Sequence, residues 1–360
     1  VIRKSGYQEK DNMKIIDLRS DTVTLPTKRM REAIFNAELG DDVFGEDPTV
    51  NKLEKLAAEI VGKEAGLLVS SGTQGNLVSI LTHCSRGDEV ILGNLSHTFL
   101  NEVGAISALG GIHPHTVVNQ KDGTMNLDDI KSAIRGNNIH FPRTRLICIE
   151  NTHNRCFGSP LTAEYTNVVC ELAHKYNLKV HLDGARIFNA AVALNVDVKE
   201  LTKNVDSLSF CLSKGLSAPI GSVVCGPKDF IAEARRYRKM LGGGMRQAGI
   251  IAAAGLIAIE EMIERLKEDH ENARLLAEGI SRIPKLSIDL ERVRTNIIYF
   301  DVIDEKITSE ILLPRMDSNG IKFLSTAPNR FRMVTHYGIT REDVEIVIEV
   351  LKSEIQNLST

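Results

Sequence analysis

Between residues 65 and 225 short apolar runs alternate with stretches whose apolar positions recur every three to four residues. The runs 66–69, 89–92, 113–118, 146–150, 178–182, 207–211 and 221–225 predict strands, and 73–84, 98–108, 128–134 and 164–176 predict helices between them. Such alternation predicts a mostly parallel sheet covered by helices on both faces, with a ligand near the carboxyl ends of the strands. Two long helical stretches follow, 229–240 and 249–267, separated by Gly242-Gly243-Gly244. After Pro284 the pattern becomes strand 296–300, helix 308–319, strand 331–334 and helix 341–355, a second and smaller α/β layer. Before residue 65 the pattern gives a strand at 15–18 and an amphipathic helix at 49–61, with the chain extended at Asp47 because Pro48 follows. The resulting plan is a flexible tail (1–14), an N-terminal segment (15–64), a large domain (65–270) and a small C-terminal domain (271–360).

Composition narrows the class. Of 360 residues, 42% are hydrophobic and 25% charged, as in an ordinary globular enzyme. The 44 basic and 47 acidic side chains nearly cancel, so charge gives no reason to expect nucleic acid or an anionic membrane as partner. The longest apolar helical stretch, 249–263, is too short to cross a bilayer. The six cysteines are irregularly spaced without a C-x-x-C pair, which favours reduced, packed thiols over disulfides or a zinc site. Residues 1–12 are polar, so no secretory signal is expected, and Met13 is a candidate start. Reduced thiols fit the cytoplasm; a mitochondrial matrix would look the same.

Chemistry concentrates at predicted strand ends. Lys214, in Cys211-Leu212-Ser213-Lys214-Gly215, follows an apolar strand where an amine can be partly buried and so neutral enough to attack an aldehyde. Taken alone, a solvated strand-end lysine is the commoner case. Asp183, in His181-Leu182-Asp183-Gly184-Ala185-Arg186, ends a buried strand and can pair with a protonated pyridine nitrogen, or else cap a helix. The loop Ser70-Ser71-Gly72-Thr73-Gln74-Gly75-Asn76 opens a helix and can cradle a phosphate ester; without a lysine it is not a nucleotide P-loop. Phosphate loop, ring-nitrogen acid and aldehyde-binding lysine together outline a pyridoxal phosphate site. His97 lies just past another strand and is a candidate stacking partner and base, although most histidines have no such role. His113 and His115 form an H-x-H pair, but no further ligands accompany them and an ordinary strand edge is the better reading.

Longer stretches carry a resemblance: Asp17-Leu18-Arg19-Ser20-Asp21-Thr22-Val23-Thr24, Gly40-Asp41-Asp42-Val43-Phe44-Gly45-Glu46-Asp47-Pro48-Thr49, Ser71-Gly72-Thr73-Gln74-Gly75-Asn76, Glu150-Asn151-Thr152-His153, and Leu241-Gly242-Gly243-Gly244-Met245-Arg246-Gln247, with the lysine and aspartate motifs above and Val334-Thr335-His336. From residue 15 to the last helix the chain resembles the low-specificity L-threonine aldolases, which are fold-type I pyridoxal-phosphate enzymes. The resemblance implies a large sheet domain with a smaller C-terminal one, retro-aldol cleavage of L-threonine and L-allo-threonine to glycine and acetaldehyde, and a homotetramer of dimers with sites at subunit interfaces. It implies that Lys214 holds the cofactor aldehyde, Asp183 the ring nitrogen, and Gly72, Thr73 and Gln74 the phosphate, with Arg246 and Lys239 reaching that phosphate across a subunit boundary. It implies that His97 stacks on the ring and serves as candidate base, that His140 sits near the substrate hydroxyl, and that Ser20, Arg186 and Arg332 hold the substrate carboxylate. No metal is implied. Phe44 stands where relatives commonly carry tyrosine, and Asn101 where some carry an apolar ring. Other Cα-carbanion reactions on the same scaffold, β-elimination or hydroxymethyl transfer, remain the alternative, as does a catalytically dead binding protein.

Overall fold

The computed structural model describes residues 14–358. The expected tail therefore lies outside the described residues except for Lys14, whose ammonium is 2.6 Å from Asp343. The strands are β1 (Ile16–Asp17), β2 (Ala65–Val69), β3 (Asp88–Gly93), β4 (His113–Val117), β5 (Arg143–Glu150), β6 (Lys179–Asp183), β7 (Ser207–Cys211), β8 (Ser222–Gly226), β9 (Leu286–Ser287), β10 (Ile297–Val302), β11 (Ile321–Lys322), β12 (Leu324–Ala327) and β13 (Arg330–Val334). Strands β2 to β8 form one seven-stranded sheet in the order β2-β8-β7-β6-β5-β3-β4. It is parallel from β7 through β4, and β8 runs antiparallel to both of its neighbours, β7 and β2. The inner strands read as continuous apolar runs because both faces are covered by helices. β4 is an edge strand, which accounts for the half-polar His113-Pro114-His115 run there.

The second layer is an antiparallel sheet in the order β12-β13-β10-β9, packed against the helices Leu266–Ser281, Ser309–Ser318 and Arg341–Leu358. β1 pairs parallel with β11, and Ile16 and Leu18 belong to this second core despite their distance in sequence. Helix Leu266–Ser281 bridges the layers: Leu266 packs in the large core, and Ala273, Leu276, Ala277 and Ile280 in the small one.

Two predicted helices are broken. The segment 98–108 is two short turns, His97–Leu100 and Ala105–Ala108, because Val103 and Gly104 adopt left-handed backbone between them. The stretch 249–267 ends at Glu261 and a new helix starts at Leu266. The first is apolar on nearly all sides and buried, whereas the second has one apolar face turned to the small core, so the chain changes direction where its packing partner changes. Helices Lys28–Phe35, Ile187–Leu194 and Val198–Thr202 were not foreseen. All six cysteines are buried and unpaired.

Candidate active site

The carboxyl ends of β2, β3, β5, β6 and β7 converge, and the side chains singled out at predicted strand ends meet there. A cavity of about 460 Å³ is walled by residues that include Ser20, His97, Arg186, Lys214 and Arg332. Lys214 sits three residues past β7, in a turn closed by the Ser217 N–H donating to its carbonyl (2.8 Å); the Thr24 hydroxyl donates to the same carbonyl (3.1 Å). Asp183 is the last residue of β6, abreast of Ser209 in β7 and Glu150 in β5. It does not cap a helix: the following helix begins at Ile187 with Arg186 in the cap position, and Asp183 Oδ1 accepts from the Ala185 N–H at 3.1 Å.

Below the cavity lies a buried polar network with Asn76 at its centre. The Asn76 amide donates to Asp183 Oδ2 (2.8 Å) and to Glu102 Oε1 (2.8 Å), while its carbonyl accepts from the Ser209 hydroxyl (2.9 Å). That fixes the role of its next partner: His181 Nε2, 3.3 Å from Asn76 Oδ1, must carry a proton. His181 Nδ1 then accepts from the Ser207 hydroxyl (2.8 Å), which in turn accepts from His83 Nε2 (2.7 Å). Both rings are neutral, because burial pushes His181 down to about 4 and His83 to about 3. Every donor in this chain points toward Asp183 and Glu102, which keeps Asp183 an acceptor. His97 Nδ1 is 2.9 Å from Glu102 Oε1, and its backbone N–H donates to Glu150 at 2.7 Å. The hydrogen bond to Glu102 raises the His97 ring above the ordinary histidine value against the effect of burial, and the charge of Asp183 adds to it. Burial raises the Glu102 carboxyl, with His97 and Asn76 opposing. Ligand atoms of His97, Glu102 and Asp183 lie within 4.8 Å of one another, and the Asn76 N–H groups bridge the two carboxylates.

The opposite wall is cationic. Arg186 makes a two-pronged ion pair with Asp21, Nε and Nη2 each 2.7 Å from a carboxylate oxygen, and both residues are buried. Burial alone would raise the Asp21 carboxyl; Arg186, with Lys214 and Arg332 beyond it, holds it well below the usual carboxylate range. Arg332, in β13 beside Tyr299 of β10, has a buried Nε without a hydrogen-bond partner among the described residues. Burial and the neighbouring Arg186 push its guanidinium below the ordinary arginine value.

At the end of β2 the helix Gly72–His83 begins. Ser71 caps it by accepting from the Gln74 N–H (3.2 Å), leaving the N–H groups of Gly72 and Thr73 with no carbonyl behind them. A Cβ on Gly72 would lie 2.9 Å from Cys211 Sγ, so glycine is required for the turn to sit this close to β7. The Gly242–Gly244 run abuts this cradle, since a Cβ on Gly243 would run into the Gln74 amide. Arg246 and Lys239 flank that run, yet neither lines the cavity: Arg246 pairs with Asp41 (3.0 Å) and lies 6.0 Å from the exposed Phe44 ring. His140 is outside the site of its own chain. It is exposed in the loop leading into β5, at the amino end of the sheet, its N–H bonded to Asn138. Sequence reasoning passed over Glu102, Asn154, Arg155, Tyr299 and Thr326. An acid five residues past His97 was a usable signal for the first; the others come together only through the fold.

The beta-eliminating lyase family matches residues 17–304. A probable low-specificity L-threonine aldolase of Arabidopsis thaliana is 51% identical over 340 residues, covering 93% of this chain and 96% of that protein. The low specificity L-threonine aldolase of Escherichia coli K12 is 45% identical over 330 residues, covering 92% and 96%. The chain belongs to the low-specificity L-threonine aldolase family. Among solved structures, a Leishmania major threonine aldolase superposes with a TM-score of 0.79 at 18% identity, covering 93% of this chain and 98% of that one. A putative L-allo-threonine aldolase of Listeria monocytogenes gives 0.76 at 21% identity, covering 90% and 92%. These structures share the fold of this aldolase-family chain: a mostly parallel sheet with a smaller antiparallel layer. No helix among the described residues is long and apolar enough to cross a membrane.

Proposed function

We propose that this chain binds pyridoxal 5'-phosphate and cleaves L-threonine and L-allo-threonine to glycine and acetaldehyde. The observation that carries the reading is Asp183, held as an acceptor by donors on two sides at the strand ends that also bring Lys214 to a cavity reached by Arg332 from the small layer. The residues fit the cofactor. The free N–H groups of Gly72 and Thr73, at the positive end of a twelve-residue helix, suit its phosphate, with Gln74 alongside. The buried Ser222 hydroxyl, without a partner among the described residues, lies next to that turn. Asp183 would hold the ring nitrogen and Lys214 the aldehyde. When bound, the cofactor supplies a sink for the electron pair released as Cα–Cβ breaks.

The protein's own part is orientation and proton transfer. Arg332 and Ser20 would clamp the α-carboxylate, backed by Arg186 in its pair with Asp21, which fixes the bond that stands to break. His97 donates through Nδ1 to Glu102, leaving Nε2 to take the β-hydroxyl proton directly or through water. His140 would serve only from a neighbouring subunit, consistent with a proposed homotetramer in which Arg246 and Lys239 also reach a partner's phosphate site. The buried reduced thiols favour a reducing compartment such as the cytoplasm.

Purified protein supplied with the cofactor should absorb in the visible and release acetaldehyde and glycine in equal amounts from both threonine epimers. Lys214→Ala should lose the visible band and nearly all turnover. 2-Oxobutyrate and ammonia in place of acetaldehyde and glycine would turn the assignment to elimination, and a visible band retained in the variant would move the attachment elsewhere.

A further inference from the structure

The cationic wall holds more positive charge than a threonine-like substrate uses. Arg186 is already matched by Asp21, and Arg332 with Ser20 suffices for one α-carboxylate. Arg155 also lines the cavity, and among the described residues it has no ion pair or hydrogen bond. It stands close enough to Arg332 for its charge to act on that guanidinium. Its position is not a matter of a loose loop. The His153 N–H donates to the Ser159 carbonyl (2.9 Å), Thr295 Oγ1 to the Gly158 carbonyl (2.8 Å) and the Tyr299 hydroxyl to the Asn154 carbonyl (3.1 Å), so the turn carrying Arg155 is fastened on both sides. Beside it, Asn154 Oδ1 and Thr326 Oγ1 are buried at the cavity without partners among the described residues. A guanidinium and a hydroxyl left open on one side of a site are donors for a second carboxylate.

We propose that Arg155 makes this site selective for 3-hydroxy-2-amino acids whose β-substituent is anionic, with 3-hydroxyaspartate the smallest case. The inference rests on the aldolase reading above. In the cleavage the β-hydroxyl loses its proton to the base and its O–H pair becomes the carbonyl. The Cα–Cβ pair passes to Cα, which takes up a proton, and the products are glycine and glyoxylate.

The test compares kcat/KM of holoenzyme for L-3-hydroxyaspartate, its neutral counterpart L-3-hydroxynorvaline, and L-threonine, in the native protein and in Arg155→Met. Equilibrium binding of L-aspartate and L-2-aminobutyrate, neither of which has a hydroxyl to cleave, is measured in parallel. The expected result is a preference for the anionic substrate that falls by about tenfold in Arg155→Met, carried by KM and matched by weaker aspartate binding, with threonine changed less than twofold. A native enzyme with no preference for 3-hydroxyaspartate over 3-hydroxynorvaline would overturn the proposal while leaving the aldolase reading intact. Equal losses on threonine and 3-hydroxyaspartate would also overturn it, placing Arg155 in the α-carboxylate clamp. Holoenzyme that cleaves none of the three defeats the aldolase reading, and the aspartate-to-aminobutyrate binding ratio still decides the role of Arg155.

Discussion

The two sides of the cavity are built on opposite plans. The floor, from His83 through His181, Asn76 and Asp183 to Glu102 and His97, is buried at its centre with a half-buried histidine at each end, and each link has a partner whose donor and acceptor roles can be assigned. The arginine wall contains one satisfied cation, Arg186, and two that lack a carboxylate among the described residues, Arg332 and Arg155. Fixed charge in the floor is present before any ligand arrives, which is what stabilising a charge that develops during reaction requires. Unpaired charge in the wall waits for a ligand to complete it. A group's share of partners thus separates the part that does chemistry from the part that selects what enters.

The harshest way to break that division is to remove the floor's outlet. Asp183→Ala deletes the acceptor toward which the Asn76 donors point and should reduce turnover by at least about 100-fold, together with weaker cofactor retention. Single-turnover kinetics and cofactor titration check it; unchanged values for both would make the floor a structural network only. Asp183→Asn, which preserves shape, should lie nearer to Ala than to the native protein.

The residues at strand ends were the part of the site most legible in the sequence. Asp183, Lys214, His97 and the Gly72 turn each lie within a few residues of an apolar run, so strand prediction alone placed them at one edge of a sheet. The wall was not legible in this way. Asn154 and Arg155 come from a turn after β5, and Tyr299, Thr326 and Arg332 from three strands of the small layer. No local pattern joins them, and Arg332 was identified through resemblance. His140 shows the limit of resemblance: a motif fixes which residue matches, and in its own chain the fold puts that residue at the far end of the sheet. The break at Gly104 was missed because helical spacing survives on either side of a single left-handed pair.

Next in size is the single satisfied cation of the wall. Asp21→Asn leaves the Arg186 guanidinium buried without its counter-charge and should cost about 3–5 kcal/mol of stability at neutral pH. The sign of its pH dependence follows from the depressed Asp21 value. The contribution is fully present above the unfolded carboxyl's pKa of about 4 and is lost as pH falls toward the folded value. Urea titrations of the native protein and Asp21→Asn should therefore converge as the pH is lowered through that window. Parallel curves would mean that Arg186, like Arg332, does not depend on a partner within the chain.

The smallest and most discriminating change is Glu102→Gln. The amide can still accept from His97 Nδ1–H, so ring orientation survives while the negative charge is lost. Since the bond to Glu102 leads the causes that raise the His97 ring, the variant ring should titrate lower than the native one, visible in the apoprotein by NMR. If His97 Nε2 must be unprotonated to act as base, the acidic limb of the kcat/KM profile moves to lower pH in the variant. The plateau should fall by about tenfold, because a weaker base takes the proton less readily. Glu102→Ala, which also frees the ring to rotate, should lower the plateau further. A native-like acidic limb in Glu102→Gln, with the NMR titration shifted as expected, would separate His97 from the rate-determining proton transfer. The base would then have to come from a neighbouring subunit's loop, and the contrast between floor and wall would concern charge placement alone.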